Sequence, residues 1–245
     1  MTTAAVEAKL AKLKREARRE WRRRAAAIRS TLSRDNLSSL AREVALTVVK
    51  VGAIVALPFV TLVRASVYFY LYFVPTWAAL ALGVLLTLVV VAAYAAWVSR
   101  RFTGRARFLT MTKWVALPLV LGWCTYTLLF LASVNSKADN VRSYYVTVHP
   151  ILRVALSTVI LADRGVMVTD LGRLPEDYGR MRLHPNDRSL HFRQRDGWVH
   201  AVDLRTRGRG ELKNLAVQAY FWIMGFDTLR HVGTADHLHV ELPLR

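Results

Sequence analysis

From Val44 to Ser133 the chain carries seven Lys and Arg residues and not one acid. Three apolar runs fill that block: Val44 to Val74, broken by Lys50, Pro58 and Arg64; Thr76 to Val98; and Trp114 to Val134. Each exceeds the ~20 residues a helix needs to cross ~30 Å of hydrocarbon. A chain with 53% hydrophobic residues so distributed is not an ordinary soluble domain. It predicts an α-helical membrane region of three spans, residues 44–134, flanked by a basic segment, 1–43, and a mixed domain, 135–245. A cation at the centre of a span costs ~2.5–3.5 kcal/mol on insertion scales. Lys50 and Arg64 are therefore expected near opposite edges of the first span, with their ends snorkelling outward.

Net charges of +7 for residues 1–43, +7 for 44–133 and +4 for 134–245 make up the formal +18. That places the basicity on the membrane half and its flanks, where it reads as membrane-surface charge rather than nucleic-acid binding. Residues 5–32 carry an apolar stripe from Val6 through Trp21 to Leu32, with Arg18, Arg19 and Arg22 to Arg24 around it, which predicts one basic amphipathic helix. The first ~40 residues lack the apolar core of a cleavable signal, so the first span is expected to act as an uncleaved anchor. The loop between spans two and three holds Arg100, Arg101, Arg105, Arg107 and Lys113. The loop between spans one and two is aromatic instead. By the positive-inside rule the N-terminus is expected in the cytoplasm and the last domain outside, as in a bacterial inner membrane with a periplasmic or extracellular domain.

The outer segment reads as α+β. A polar linker is expected at Asn135 to Asn140, helices at Pro150 to Ala162 and Glu211 to Met224, and a strand at Gly165 to Thr169. A hairpin is expected from Ser189 to Leu204, turning at Arg195-Asp196-Gly197, with strands at Phe226 to Val232 and His237 to Leu242. The single cysteine, Cys124, lies in an apolar run, which leaves no disulfide within the chain and no cysteine metal site.

All seven histidines fall at or beyond His149. Three protein ligands drawn from His, Asp and Glu, with one position left for water, make a catalytic zinc site. Zinc lowers the pKa of its water from ~15.7 towards ~7, and a nearby carboxylate can then move the proton. The expected hairpin would bring His191 and Asp203 together across two strands. Asp236 and His239, three apart, would supply a base and a third ligand, and His237 and His200 compete as ligands or proton donors.

The wording around these residues is Ser189-Leu190-His191, Gly197, Ala201-Val202-Asp203 and Asp236-His237-Leu238-His239. It resembles the zinc D,D- and L,D-peptidases that cut bacterial peptidoglycan peptides, the D-alanyl-D-alanine carboxypeptidases and dipeptidases. More loosely it is similar to the penicillin-insensitive murein endopeptidases. The resemblance covers roughly His149 to Leu244. It implies Zn2+ held by His191, Asp203 and His239, and Asp236 as the base. It also implies that Arg173, closing Val168-Thr169-Asp170-Leu171-Gly172, steadies the substrate carbonyl. The chain departs from the family in its 12-position interval from His191 to Asp203, in Asp for Glu at 236 and in Leu238 before the last histidine.

The function so implied is a membrane-anchored metallopeptidase acting on peptidoglycan stem peptides. Some of Arg180, Arg182, Arg188, Arg193, Arg205, Arg207 and Arg209 would meet the peptide carboxylates. The rival expectations are a degenerate domain that binds cell wall without cutting it, or an accessory subunit docked on other integral membrane proteins. Glycine-rich phosphate loops and serine-triad wording are absent from the sequence.

Overall fold

The structure is a computed structural model. It describes residues 12, 14–26, 34–173, 179, 189–233 and 236–245, with backbone only for 34–37. Arg180, Arg182 and Arg188 lie outside the described residues, as do the ends of the basic helix expected over 5–32. Helix α1 is described over residues 14–26. The chain divides into two units, residues 1–55 and 56–245.

Helix α2 runs from Arg34 to Leu71 with Pro58 inside it, and α3 from Thr76 to Thr103. Pro75 precedes α3, Arg100 and Arg101 occupy its last turn, and Gly104 closes it in the left-handed region at φ 73°. Helix α4, Phe108–Leu129, contains a π-helical turn at Thr112–Ala116. It starts and stops about five residues before the apolar run that announced it. Among the described residues, three helices are thus long and apolar enough to cross a membrane. Between α2 and α3, Gly83 lets the backbones meet closely: a Cβ there would lie 2.8 Å from the Leu62 carbonyl oxygen.

The remaining elements are α5 (Asp139–Ser143), α6 (Pro150–Ala162), β1 (Val168–Asp170), β2 (Ala201–Arg205), α7 (Glu211–Met224), β3 (Asp227–His231) and β4 (His237–Glu241). The four strands form one antiparallel sheet in the order β1-β2-β4-β3. Alternation along β2 and β4 sends Val202, Leu204, Leu238 and Val240 into the core. Asp203, His237, His239 and Glu241 are left on the other face. Helices α6 and α7 pack on each other, α7 also meets β3 and β4, and α6 meets α3 and α4.

Residues 135–140 are not a free linker. Asn135 is buried, and its amide donates to the carbonyls of Arg164 at 3.0 Å and Val166 at 2.8 Å. One hydrophobic cluster runs from Leu62, Val63 and Val67 in α2 through Val120 and Cys124 to Ile151, Leu156 and Leu242. Buried polar groups tie the same junction: the Tyr145 hydroxyl donates to the Thr127 carbonyl, and Arg153 donates to that of Leu128.

The hairpin expected from Ser189 to Leu204 is only half present. Its turn exists, with Gly197 at φ 84° and an isolated bridge between Arg193 and Val199. Its second strand is β2, but the first forms no ladder with it. Both edges of β2 are already taken, by β1 and β4, so residues 189–199 fold as turns over the sheet.

Candidate metal centre

Asp203 and His239 are directly opposed in the β2–β4 ladder. Their side chains share a face, and His239 Nδ1 lies 2.8 Å from Asp203 Oδ1. His191 reaches the same spot from the turn segment, its Nε2 3.3 Å from that oxygen. The three form a group whose ligand atoms all lie within 4.8 Å of one another. Arg173, just after β1, donates to Asp203 Oδ2 at 2.9 Å and is paired with Asp170. Asp203 and His191 are 4% and 2% exposed.

The tautomer of His191 follows from its partners. Its Nδ1 faces the Leu171 carbonyl, which can only accept, so Nδ1 carries a proton and Nε2 is the nitrogen turned to Asp203. That Nε2 is buried and has no hydrogen-bond partner. It faces Asp203 Oδ1 at 3.3 Å without an aligned hydrogen bond, and a cation between the two would satisfy both. A tetrahedron with bonds of 2.0–2.1 Å has edges of about 3.3 Å. The His191–Asp203 edge already matches, and the His239–Asp203 edge needs to open by about half an ångström.

The electrostatics agree with a cation site. Burial alone would push the Asp203 carboxyl up, but the His191 and His239 imidazoles outweigh it and hold it well below the carboxylate range. Burial would likewise lower His239, yet Asp203 and Glu241 raise it above the ordinary histidine value. The proton they share lies within the group of ligand atoms that could hold a metal ion. Glu241 Oε2 lies 3.1 Å from His239 Nε2, the carboxylate–histidine arrangement that orients metal-bound imidazoles. The sequence reading overlooked Glu241, although alternation in His237-Leu238-His239-Val240-Glu241 puts all three polar side chains on one face.

The other expected residues lie as follows. His237 shares the face of His239, with Nε2 3.8 Å from Asp203 Oδ1 and its ring stacked on His231 at 4.6 Å. Asp236 is turned away. It precedes β4, and its carboxylate accepts from Arg230 at 2.7 and 3.0 Å and from Thr206 at 2.6 Å. The Arg230 and Thr206 bonds hold its pKa at about 2.

His200 belongs to a second group, with His149 and Asp196. Here every ring nitrogen has a partner. The Ile151 N–H donates to His149 Nδ1, leaving Nε2 to donate to Thr76 Oγ1 at 3.0 Å. His200 faces the Leu242 carbonyl and Asp196. No orphaned atom asks for an ion, so this group reads as a structural joint between the membrane helices and the sheet. No protein-family model, curated protein or solved structure matches this chain.

Proposed function

We propose that this chain is a membrane-anchored zinc hydrolase that cleaves an amide bond in peptidoglycan stem peptides, with its sheet domain outside the cytoplasmic membrane. The observation that carries the reading is the buried convergence of His191 Nε2 and His239 on Asp203, with Nε2 lacking an aligned hydrogen bond. His191 Nε2, Asp203 Oδ1 and His239 Nδ1 hold the ion, which when bound supplies Lewis acidity and an acidified water. Glu241 fixes the His239 ring. Arg173 brings a permanent positive charge within 2.9 Å of Asp203, where a carbonyl oxygen gaining negative charge would be stabilised. For proton transfer, Asp236 would first have to leave Arg230 and Thr206. His237 is the nearer candidate, its Nε2 3.8 Å from Asp203 Oδ1.

A second reading has an observation of its own. Arg173 and His239 together already satisfy both oxygens of Asp203. A metal-free domain with Asp203 as a structural hub would then serve as a wall-binding or accessory module. Elemental analysis of the purified chain, with digestion of isolated cell-wall sacculi, separates the two. One zinc per chain, lost in His191→Ala together with release of peptide fragments, supports the hydrolase. A folded, metal-free protein that stays metal-free after zinc addition would end it.

A further inference from the structure

We propose that the substrate of this centre is tethered to the bilayer: a peptide carried on a lipid anchor and met at headgroup depth, rather than one diffusing free or set in the distant wall. The inference rests on the hydrolase reading above and concerns where that hydrolase finds its substrate.

Helix α3 supplies the ruler. Trp77 and Trp97 stand twenty residues apart on it, about 30 Å at ~1.5 Å per residue, which is the thickness of the hydrocarbon core. Tryptophans gather at the two edges of that core. At the Trp77 edge the sheet domain is in contact with the spans. The Trp198 ring meets Trp77 at 6.1 Å, and Thr76 Oγ1 lies 3.0 Å from His149 Nε2. The His200 ring lies 4.8 Å from that of His149 and 6.2 Å from that of Tyr70.

Asp203 is only three residues beyond His200. At ~3.4 Å per residue their Cα atoms are at most about 10 Å apart, whatever the tilt of β2. The headgroup layer itself adds about 5–7 Å outside the hydrocarbon. With the steps of 3.0 Å from Thr76 to His149 and 4.8 Å from His149 to His200, the metal centre lies within about 20 Å of the hydrocarbon edge, close to the headgroup layer.

The other end of the sheet gives the same height. A Cβ on Gly225, the residue that ends α7, would lie 2.8 Å from Arg64 Nη1 and 3.0 Å from Val67 Cγ1, both within the first span. Helix α7 thus ends below the top of α2. Its Trp222 and Ile223, 71% and 57% exposed, offer apolar surface at that depth. Leu229, the register partner of His239, is four residues from Gly225, at most about 14 Å away. It is 56% exposed on the face that carries the metal centre. A free peptide must approach a site bordered by the membrane, whereas a lipid-anchored one already lies at that level. Confinement to the same surface raises effective concentration on the order of 10²-fold.

The test uses the full chain, zinc-loaded, in proteoliposomes of zwitterionic and anionic phospholipid. The same pentapeptide is offered free in solution and attached through its sugar to a polyprenyl diphosphate in the bilayer. The lipid-linked form should show a kcat/KM higher on the order of 10²-fold. Equal rates would overturn the inference while leaving the hydrolase intact, and cleavage of neither would remove both. A second readout does not need turnover. A fluorophore on Leu229→Cys, in a Cys124→Ser background, should be quenched by nitroxide carried on lipid headgroups. Quenching by an aqueous quencher alone would place the centre clear of the membrane and overturn the proposal.

Discussion

His239 stands between two carboxylates, Asp203 at 2.8 Å on Nδ1 and Glu241 at 3.1 Å on Nε2. The first is a ligand in the proposed centre and the second holds the ring. Glu241→Gln keeps the size of the side chain but weakens its acceptance from Nε2–H. Zinc affinity, measured by competition with a chelator, should fall roughly 10–100-fold with the circular dichroism spectrum unchanged. An unchanged affinity would show that Glu241 does not orient the ligand.

Asp236 should behave as a structural residue. Its pKa of about 2 lies below the ordinary carboxylate value of 3.8, so the native state favours the charged form. That stabilisation is complete above about pH 4 and disappears as pH falls through about 2. Asp236→Asn should therefore lower the melting temperature at neutral pH, flatten its decline between those values and leave zinc content unchanged. Loss of hydrolysis with stability and zinc both intact would return Asp236 to the role of base.

The membrane spans, α6, α7, β3 and β4 were legible because periodicity and length signal them directly. Pro150 opens α6, and Gly225, with φ 95°, closes α7. That His191, Asp203 and His239 come together was legible from residue type. The route by which His191 arrives was not. A hairpin pattern cannot reveal that β2 already has a neighbour on each edge. The burial of Asn135 was also hidden, because a polar hexapeptide reads as a linker unless the carbonyls of Arg164 and Val166 are known to face it. The partners of Asp236 were hidden too, because nothing in the sequence joins it to Arg230 and Thr206.

The joint at His149 should make stability pH-dependent. Burial, then the charges of His200, Arg153 and Arg245, lower its pKa to about 2, so it stays neutral in the native state. Tyr70 and Thr76 from the membrane helices complete its surroundings. The unfolded chain takes up a proton near the ordinary histidine value of 6.5 and the native one does not, so this contribution is lost progressively as pH drops below that value. In detergent, the melting temperature should fall from neutral pH towards pH ~5, and His149→Gln should show a shallower fall. Equal slopes for the two proteins would mean that His149 is not the group responsible.

Gly83 sets how closely α2 and α3 approach, and that approach underlies the joint. A Cβ there would lie 2.1 Å from Ser66 Oγ and 2.8 Å from the Leu62 carbonyl. The Ser66 hydroxyl can be removed, but the backbone carbonyl cannot move without the helix. Gly83→Ala should therefore destabilise by about 1–3 kcal/mol, the usual cost of overpacking. Combining it with Ser66→Ala should recover only part of the loss, because the contact with Leu62 persists. Melting of the four proteins in one detergent tests this as a double-mutant cycle. Full recovery in the double variant would show that the hydroxyl alone limits the approach, and no loss in Gly83→Ala would show that the helices are not tightly packed there.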